Sequence, residues 1–269
     1  MRALVVGCGY MGRIHSSNLK RLGVEVLQFD IVKGKCDSYV DQLYGHEVDV
    51  IVIATPIRTH YEIFSKLYES YGKGVVYFIE KPVVGTSDQL RRIKGILSEG
   101  AEVFVGHQLR YSKFYELIKE EAKGNPYFEV DMEVNSPSDP EAGLILDTGI
   151  HFIDLPIYYL GRPRDFRVSG SKNFFDLLLY YERGVWRVMG ALRDYYRVEF
   201  RVNGKRGVND GVSMKFCGEV FKDVDPYYEE MRDVVGYARD RRSKPRISLE
   251  KLLETYELAF SLVELLTVT

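Results

Sequence analysis

The chain has 269 residues, of which 45% are hydrophobic and 28% charged, as is typical of a globular protein with a buried core. This length exceeds the common one-domain range, so we expect two domains. The net charge of −2 gives no electrostatic reason to expect a nucleic acid or an anionic membrane as partner. Because no apolar run approaches the length of a membrane span and the N-terminus lacks a signal-peptide pattern, we expect a cytoplasmic protein.

The three cysteines, Cys8, Cys36 and Cys217, lie far apart in the sequence and form no C-x-x-C pair. This spacing argues against a disulfide framework and against a thiolate zinc site. We therefore expect neither a disulfide nor a bound metal, and we expect Cys8 only to need a small side chain.

Short apolar runs alternate with helical patterns in the N-terminal part of the chain. The patterns predict strands over residues 3–6, 24–29, 48–54, 75–79 and 102–105, and helices over residues 11–22, 60–71 and 87–98. The last of these helices follows Thr86, and Thr86 to Gln89 has the spacing of a capping box. Continuous apolar strands separated by helices predict a parallel sheet covered on both faces, which is a doubly wound α/β domain.

The pattern changes after about residue 108. Helices are predicted over residues 112–123, 146–160, 227–239 and 249–266, and strands over residues 127–134, 166–170, 174–181, 185–192 and 195–202. We therefore expect a dinucleotide-binding domain over residues 1–108. Residues 109–269 are expected to form an α+β domain with a mostly antiparallel open sheet, whose C-terminal helices can pack back on the first domain.

A glycine-rich turn stands between the first strand and the first helix. Gly7, Gly9 and Gly12 form G-x-G-x-x-G, with Tyr10 and Met11 before the last glycine. The first glycine permits a tight turn, the second lets the backbone approach a pyrophosphate, and the third allows close packing of helix on strand. The phosphates then rest on N–H groups at the helix N-terminus, so this turn predicts a Rossmann domain that binds a dinucleotide.

Asp30 follows the second strand, where an acid accepts hydrogen bonds from the adenosine ribose hydroxyls. A carboxylate there repels a 2′-phosphate, and no arginine follows directly. The sequence therefore favours NAD over NADP, although Lys33 nearby leaves NADP open.

Two further segments follow predicted parallel strands, where ligands of open α/β sheets bind. Ala54, Thr55 and Pro56 follow the third strand, with His60 shortly after, and Glu80-Lys81-Pro82 follows the fourth. A lysine at the position of Lys81 can approach the nicotinamide and exchange a proton with a substrate. The alternative for Lys81 is a solvated loop lysine.

Asp147 and His151 are spaced one helical turn apart and would project from the same helix face. An imidazole oriented by a carboxylate can act as the base that removes a hydroxyl proton. The alternative is an aspartate at a helix start beside a structural histidine. A zinc pair is disfavoured because the spacing suggests no third ligand.

Taken in order, these motifs resemble the Gfo/Idh/MocA oxidoreductases, which include glucose–fructose oxidoreductase and inositol dehydrogenase. The resemblance spans essentially the whole chain. The matching segments are Gly7 to Gly12 with His15, Ala54 to Pro56 with His60, Glu80 to Pro82, Val105 to Tyr111, Asp147 to Leu155, and the parts around Glu230 and Ile247 to Glu250.

The resemblance implies an NAD(P)-dependent dehydrogenase that oxidises a secondary alcohol of a sugar, polyol or nucleotide sugar. It makes Lys81 the active-site lysine and Asp147 with His151 the D-x-x-x-H pair, and it places Arg110 and Tyr111 in the substrate pocket. It also implies a homodimer or homotetramer formed through the open sheet.

Two alternatives remain. One is a reductase of an imine or a conjugated ring, as in biliverdin reductase, and the other is a non-catalytic NAD-sensing regulator on the same fold. The joint presence of Lys81, Asp147 and His151 favours the dehydrogenase. The sequence leaves open whether His151 or Lys81 accepts the proton.

Overall fold

The computed structural model of the protein describes residues 1–122, 127–134, 142–242 and 244–267. The chain divides into two compact units. The first unit comprises Met1–Gln108 and Asp225–Leu252, and the second comprises Leu109–Val224 and Leu253–Thr269. The first unit is therefore assembled from two separate stretches of sequence.

Most of the predicted helical patterns correspond to α-helices in the structure. In chain order they are α1 (Tyr10–Arg21), α2 (Ile57–Tyr71), α3 (Ser87–Ser98), α4 (Lys113–Ala122), α5 (Ile150–Leu160), α6 (Pro226–Arg239) and α7 (Leu253–Thr267). Thr86 caps α3 by accepting a hydrogen bond from the Gln89 N–H at 3.2 Å, as predicted. The predicted helix from residue 249 begins later, because a 3₁₀ turn over Leu249–Lys251 precedes α7. Lys123, predicted to end α4, lies outside the described residues.

The first unit contains a five-stranded parallel sheet in the order β2-β1-β3-β4-β5. Its strands are β1 (Arg2–Val6), β2 (Glu25–Phe29), β3 (Val50–Ile53), β4 (Val76–Ile79) and β5 (Glu102–Val105). Every residue of β3 and β4 is buried, which is why these strands are continuously apolar in sequence. The predicted Rossmann-type sheet is confirmed.

The second unit contains an eight-stranded sheet in the order β13-β12-β11-β10-β6-β9-β8-β7. Its strands are β6 (Tyr127–Val134), β7 (Asp165–Ser171), β8 (Phe174–Tyr181), β9 (Gly184–Leu192), β10 (Arg197–Val202), β11 (Lys205–Asn209), β12 (Met214–Phe216) and β13 (Glu219–Phe221). The described pairings are antiparallel except for β6 with β9, so the predicted mostly antiparallel sheet is confirmed.

The strand β6 shows how the second sheet separates its faces. Phe128 and Val130 are buried, while Glu129 and Asp131 alternate with them on the other face. Helices α4 and α5 pack on strands of this sheet. The period of two therefore buries one face against helices and leaves a polar outer face.

The expectation of no disulfide is wrong, because Cys8 and Cys36 are joined by one. Cys8 follows β1 and Cys36 lies in the loop after β2, and these two strands are parallel neighbours. Parallel neighbours end at the same edge of a sheet, so the Cα atoms lie 5.4 Å apart despite a separation of 28 residues. Cys217 is exposed and carries a free thiol.

Within the described ranges, no helix combines the length and the apolar character that crossing a membrane requires.

Candidate functional site

The glycine turn after β1 leaves no room for side chains at two of its positions. A Cβ atom on Gly7 would lie 2.5 Å from the Ala54 carbonyl oxygen, and Gly7 also has a φ of +97°. A Cβ atom on Gly12 would lie 1.8 Å from the Gly7 carbonyl oxygen. Both positions therefore require glycine, Gly7 for the tight turn as predicted, and Gly12 because of its close approach to the Gly7 carbonyl.

Gly9 differs from these two because its missing side chain faces open space. A Cβ atom there would meet nothing within 4 Å. Gly9 is the N-cap of α1, where no side chain caps the helix and no acidic residue stands in the first turn. The helix N-terminus is thus open to an anion, so the turn fits the pyrophosphate of a dinucleotide. Tyr10 is exposed and Met11 half-buried beside it, and their cofactor contacts stay predictions.

Asp30 is held firmly at the end of β2. Its Oδ2 accepts a hydrogen bond from the Cys8 N–H at 2.8 Å, and its Oδ1 accepts one from the Val32 N–H at 2.9 Å. A carboxylate has about four acceptor positions, so capacity remains for ribose hydroxyls. The structure thus places the predicted ribose acid directly beside the glycine turn.

His60 joins the two loops that follow β3 and β4. Its Nε2 lies 2.7 Å from the Thr55 carbonyl oxygen and its Nδ1 lies 2.9 Å from the Pro82 carbonyl oxygen. Complete burial lowers the pKa of His60, although these two carbonyls oppose the shift. A direct cofactor contact of His60 stays a prediction, and its observed contacts fix the loops that carry Thr55 and Pro82.

Glu80 is buried and paired with a histidine that was noticed in the sequence only through the family resemblance. Its Oε1 lies 2.5 Å from Nε2 of His15 on α1, and its Oε2 accepts a hydrogen bond from the Lys81 N–H at 3.2 Å. Burial alone would raise the pKa of Glu80, but the hydrogen bond and charge of His15 lower it below its usual value. Glu80 therefore anchors the backbone of Lys81, whose side chain is half-buried and whose bond to Pro82 is cis.

Glu230 on α6 is a buried acid to which sequence reasoning gave no role. Its side chain is fully buried, and burial together with the charge of Glu80 raises its pKa well above the usual value. The backbone N–H of His107 partly offsets this rise. One sign that Glu230 is buried was present in the sequence, because it lies in the same helix as the apolar residues Met231 and Val234, which face the core.

In the second unit, Asp147 and His151 belong to different helical geometries. Asp147 lies in a π-helical turn over Ile145–Gly149, and His151 lies in α5. Both side chains are buried, and the Thr148 hydroxyl donates to Oδ2 of Asp147 at 3.1 Å. The helix predicted over residues 146–160 is therefore present, and its first turn is π-helical. Such π-helical turns are frequent at functional sites.

Arg110 makes a buried, two-pronged ion pair inside the second unit. Its Nε and Nη2 atoms donate to the Asp154 carboxylate at 2.7 and 2.6 Å, and the Thr255 hydroxyl donates to the same carboxylate at 2.8 Å. The guanidinium lies 4.3 Å from the ring centroid of Tyr158. A substrate contact of Arg110 stays a prediction, as does that of the buried Tyr111. The contacts seen here favour a structural role for Arg110.

The first unit thus gathers the glycine turn, Asp30 and the buried pair of Glu80 and His15 at one edge of its sheet. The glycine turn follows β1, Asp30 follows β2, Ala54 to Pro56 follow β3, and Glu80 with Lys81 follows β4. Carboxyl ends of parallel strands are where such sheets bind ligands. The second unit brings Asp147 and His151 together within neighbouring turns.

Comparisons with known proteins agree with this architecture. Residues 14–107 match the sequence model of the Gfo/Idh/MocA family, described as an oxidoreductase family with an NAD-binding Rossmann fold. A search of curated proteins gives no match to the chain.

Solved structures match the fold over nearly the full length. The UDP-N-acetylglucosamine 3-dehydrogenase of Acidithiobacillus ferrooxidans has a TM-score of 0.79 at 19% identity, covering 99% of this chain and 98% of its own. The myo-inositol 2-dehydrogenase of Lactobacillus plantarum has a TM-score of 0.80 at 14% identity, with coverages of 100% and 97%. The WlbA dehydrogenase of Thermus thermophilus, solved with NAD and UDP-GlcNAcA, has a TM-score of 0.75 at 20% identity, with coverages of 98% and 94%.

The resemblance seen in the sequence is thus confirmed: residues 14–107 match the model of the Gfo/Idh/MocA oxidoreductase family, and the chain has, along its length, the fold of these solved structures.

Proposed function

We propose that the protein is an NAD-dependent dehydrogenase that oxidises a secondary alcohol of a sugar, polyol or nucleotide sugar. The observation that carries the proposal is the open N-terminus of α1 beside Gly9, with Asp30 fixed next to it. The named substrates of the inositol and nucleotide-sugar dehydrogenases with this fold support the substrate class.

Asp30 supports NAD over NADP. Its carboxylate is held by two backbone N–H groups at the end of β2, and a second negative charge brought by a 2′-phosphate would be repelled there. We expect Asp30→Ser to weaken NAD binding and to narrow the preference over NADP by about tenfold. Asp37→Ser, an exposed aspartate of the following loop, is the matched control and should leave the preference unchanged.

We propose that Lys81, Asp147 and His151 carry the chemistry. A bound nicotinamide would supply the hydride acceptor for the substrate carbon. The hydroxyl proton goes to His151 or to Lys81, and the ammonium of Lys81 stabilises the charge that develops on the carbonyl oxygen. Asp147 orients His151 or binds a neighbouring hydroxyl of the substrate.

The test is a panel of sugars, inositols and nucleotide sugars with NAD and with NADP, followed by the absorbance of the reduced nicotinamide. With an active substrate, Lys81→Ala and His151→Ala should each lower kcat about 100-fold or more while NAD binding stays nearly intact. Lys20→Ala, an exposed lysine of α1, is the control. Near-normal turnover in either variant would refute its role, and NAD binding without turnover across the panel would favour an NAD-sensing regulator.

We also propose a homodimer or homotetramer formed through the outer face of the second sheet. This face carries a network of ion pairs, in which Arg187 contacts Asp176 at 2.7 Å and Arg201 contacts Glu129 at 3.1 Å. Because its charges are already paired, the face can meet a second copy without leaving unpaired ions. Light scattering after size-exclusion chromatography tests this proposal, and a monomer at micromolar concentration would refute it.

A further inference from the structure

The disulfide of the first unit begins inside the glycine turn. Cys8 stands between Gly7 and Gly9 and is fully buried, so its side chain points away from the open space at Gly9. Its partner Cys36 is half-buried, in a loop whose neighbouring residues are mostly exposed. The disulfide therefore links the glycine turn to a loop at the protein surface.

The same residue is also bonded to the ribose acid. The Cys8 N–H donates to Oδ2 of Asp30 at 2.8 Å, while the Cys8 side chain is bonded to Cys36. One residue thus connects the phosphate turn, the ribose acid and the loop that follows it. A change at Cys8 would therefore affect both the turn expected to bind the pyrophosphate and the aspartate expected to bind the adenosine ribose.

We propose that Cys8 and Cys36 are a redox-active pair, and that the disulfide form binds NAD more tightly than the dithiol form. This inference rests on the proposed NAD binding and adds a site of reversible thiol modification to it. The co-reactants are low-molecular-weight disulfides and dithiols.

The exchange balances with these co-reactants alone. In oxidation, a low-molecular-weight disulfide accepts two electrons from the two cysteine thiols. Its own S–S bond breaks, the Cys8–Cys36 bond forms, and the co-reactant leaves as two thiols that carry both protons. In reduction, one thiol of a dithiol attacks Sγ of Cys36, the more exposed of the two cysteines, and forms a mixed disulfide while Cys8 leaves as a thiolate that then takes a proton. The second thiol of the co-reactant attacks this mixed disulfide, so Cys36 is released as a thiol and the co-reactant leaves as a disulfide.

Besides the disulfide, the loop that carries Cys36 is attached at its two ends to Asp30 and to β2, and within it the exposed Lys33 pairs with Asp41 at 3.2 Å. Val32 N–H bonds to Asp30 at its start, and Ser38 N–H bonds to the side chain of Gln28 at its end, at 2.8 Å. Lys33, Gly34 and Lys35, between these points, are exposed. Opening the disulfide frees the segment between these anchors and loosens the buried attachment of Cys8. The dithiol form must then order both the turn and the loop on binding, which weakens affinity.

The test measures the Kd of NADH by fluorescence in the full chain carrying Cys217→Ser, which removes the exposed free thiol. The protein is oxidised with glutathione disulfide or reduced with dithiothreitol, and free thiols are counted by maleimide labelling and mass spectrometry. We expect no labelled thiol in the oxidised form and two in the reduced form. The Kd should be roughly threefold to tenfold higher after reduction.

Adding Cys36→Ser should give a Kd equal to that of the reduced form and insensitive to either reagent. If that variant does not fold, the comparison of oxidised and reduced Cys217→Ser protein still decides. Equal Kd values in the two states, tighter binding after reduction, or two free thiols in the oxidised protein would overturn this inference alone. Absence of NADH and NADPH binding in both states would overturn the proposed function, and this inference with it.

Discussion

Nε2 of His15 lies 2.5 Å from Oε1 of Glu80, and this contact joins α1 to the residue directly before Lys81. Both side chains are buried, and a Cβ atom on Gly106 would lie 3.0 Å from Oε2 of Glu80. The carboxylate is therefore enclosed and has little freedom to find another partner. The helix whose N-terminus is proposed to bind the cofactor thus also holds the backbone of the proposed catalytic lysine.

Removing the histidine should destabilise the fold. In His15→Ala the buried Glu80 carboxylate loses its partner, and we expect unfolding free energy to fall by about 3 kcal/mol. Arg13→Ala, at an exposed position of the same helix, should change it by less than about 0.5 kcal/mol. Urea unfolding measures both variants. Equal stability of His15→Ala and Arg13→Ala would show that Glu80 is satisfied without His15.

His60 should make stability depend on pH below about 6.5. Its pKa is lower in the folded state than the usual 6.5, so its contribution is present above pH 6.5 and is lost as pH falls through the folded-state value. His60→Gln has no such titration, so the wild type should lose up to about 1.4 kcal/mol more per pH unit in this window. Unfolding curves at several pH values above 5 measure the difference, because Glu80 titrates below that range. Parallel pH profiles would contradict the prediction.

Glu230 should make stability depend on pH in the direction opposite to that of His60. Its folded-state pKa is raised above the usual 4.5, so its contribution is present below pH 4.5 and is lost as pH rises through the folded-state value. Glu230→Gln keeps the shape of the side chain without its charge. As the pH rises from 4.5 towards the folded-state pKa of Glu230, the variant should gain stability over the wild type by about 1.4 kcal/mol per pH unit. The neighbouring Glu229→Gln, which removes only a partly exposed acid, is the control. A Glu230→Gln profile that follows the wild type at every pH would show that Glu230 ionises normally.

The Arg110–Asp154 pair gives a stability prediction in the second unit. Both side chains are almost fully buried, so Arg110→Ala leaves an uncompensated carboxylate and should lower the unfolding free energy by about 3–5 kcal/mol. Arg164→Ala breaks an exposed pair with Glu182 and should lower it by less than about 1 kcal/mol. Thermal and urea unfolding compare the two. If Arg110→Ala keeps full stability and loses only substrate affinity, Arg110 would instead act in the substrate pocket, as the resemblance implies.

Features set by local physics could be predicted from the sequence. The strands β3 and β4 are continuously apolar because both faces are covered, and Thr86 caps α3 because its hydroxyl reaches the Gln89 N–H. The glycine turn could also be predicted, since Gly7 and Gly12 are required by close backbone contacts within the turn and with Ala54 after β3.

Features set by distant parts of the chain could not. The disulfide depends on the pairing of β1 with β2, which brings Cys8 and Cys36 together although the sequence separates them widely. The strands β12 and β13 are too short to show a period of two. In the π-helical turn at Asp147 the backbone hydrogen bonds are shifted by one residue relative to an α-helix. Residues that favour helices do not indicate such a shift in the sequence.

The division of the first unit into two stretches has a consequence for the order in which the protein can form. Helix α6 packs against α1 and belongs with the parallel sheet, yet it follows the whole run from Leu109 to Val224. While a ribosome makes the protein, the sheet of residues 2–105 emerges well before the helix that covers part of it. Any chain that stops before Asp225 would present the bare side of α1 to chaperones and proteases.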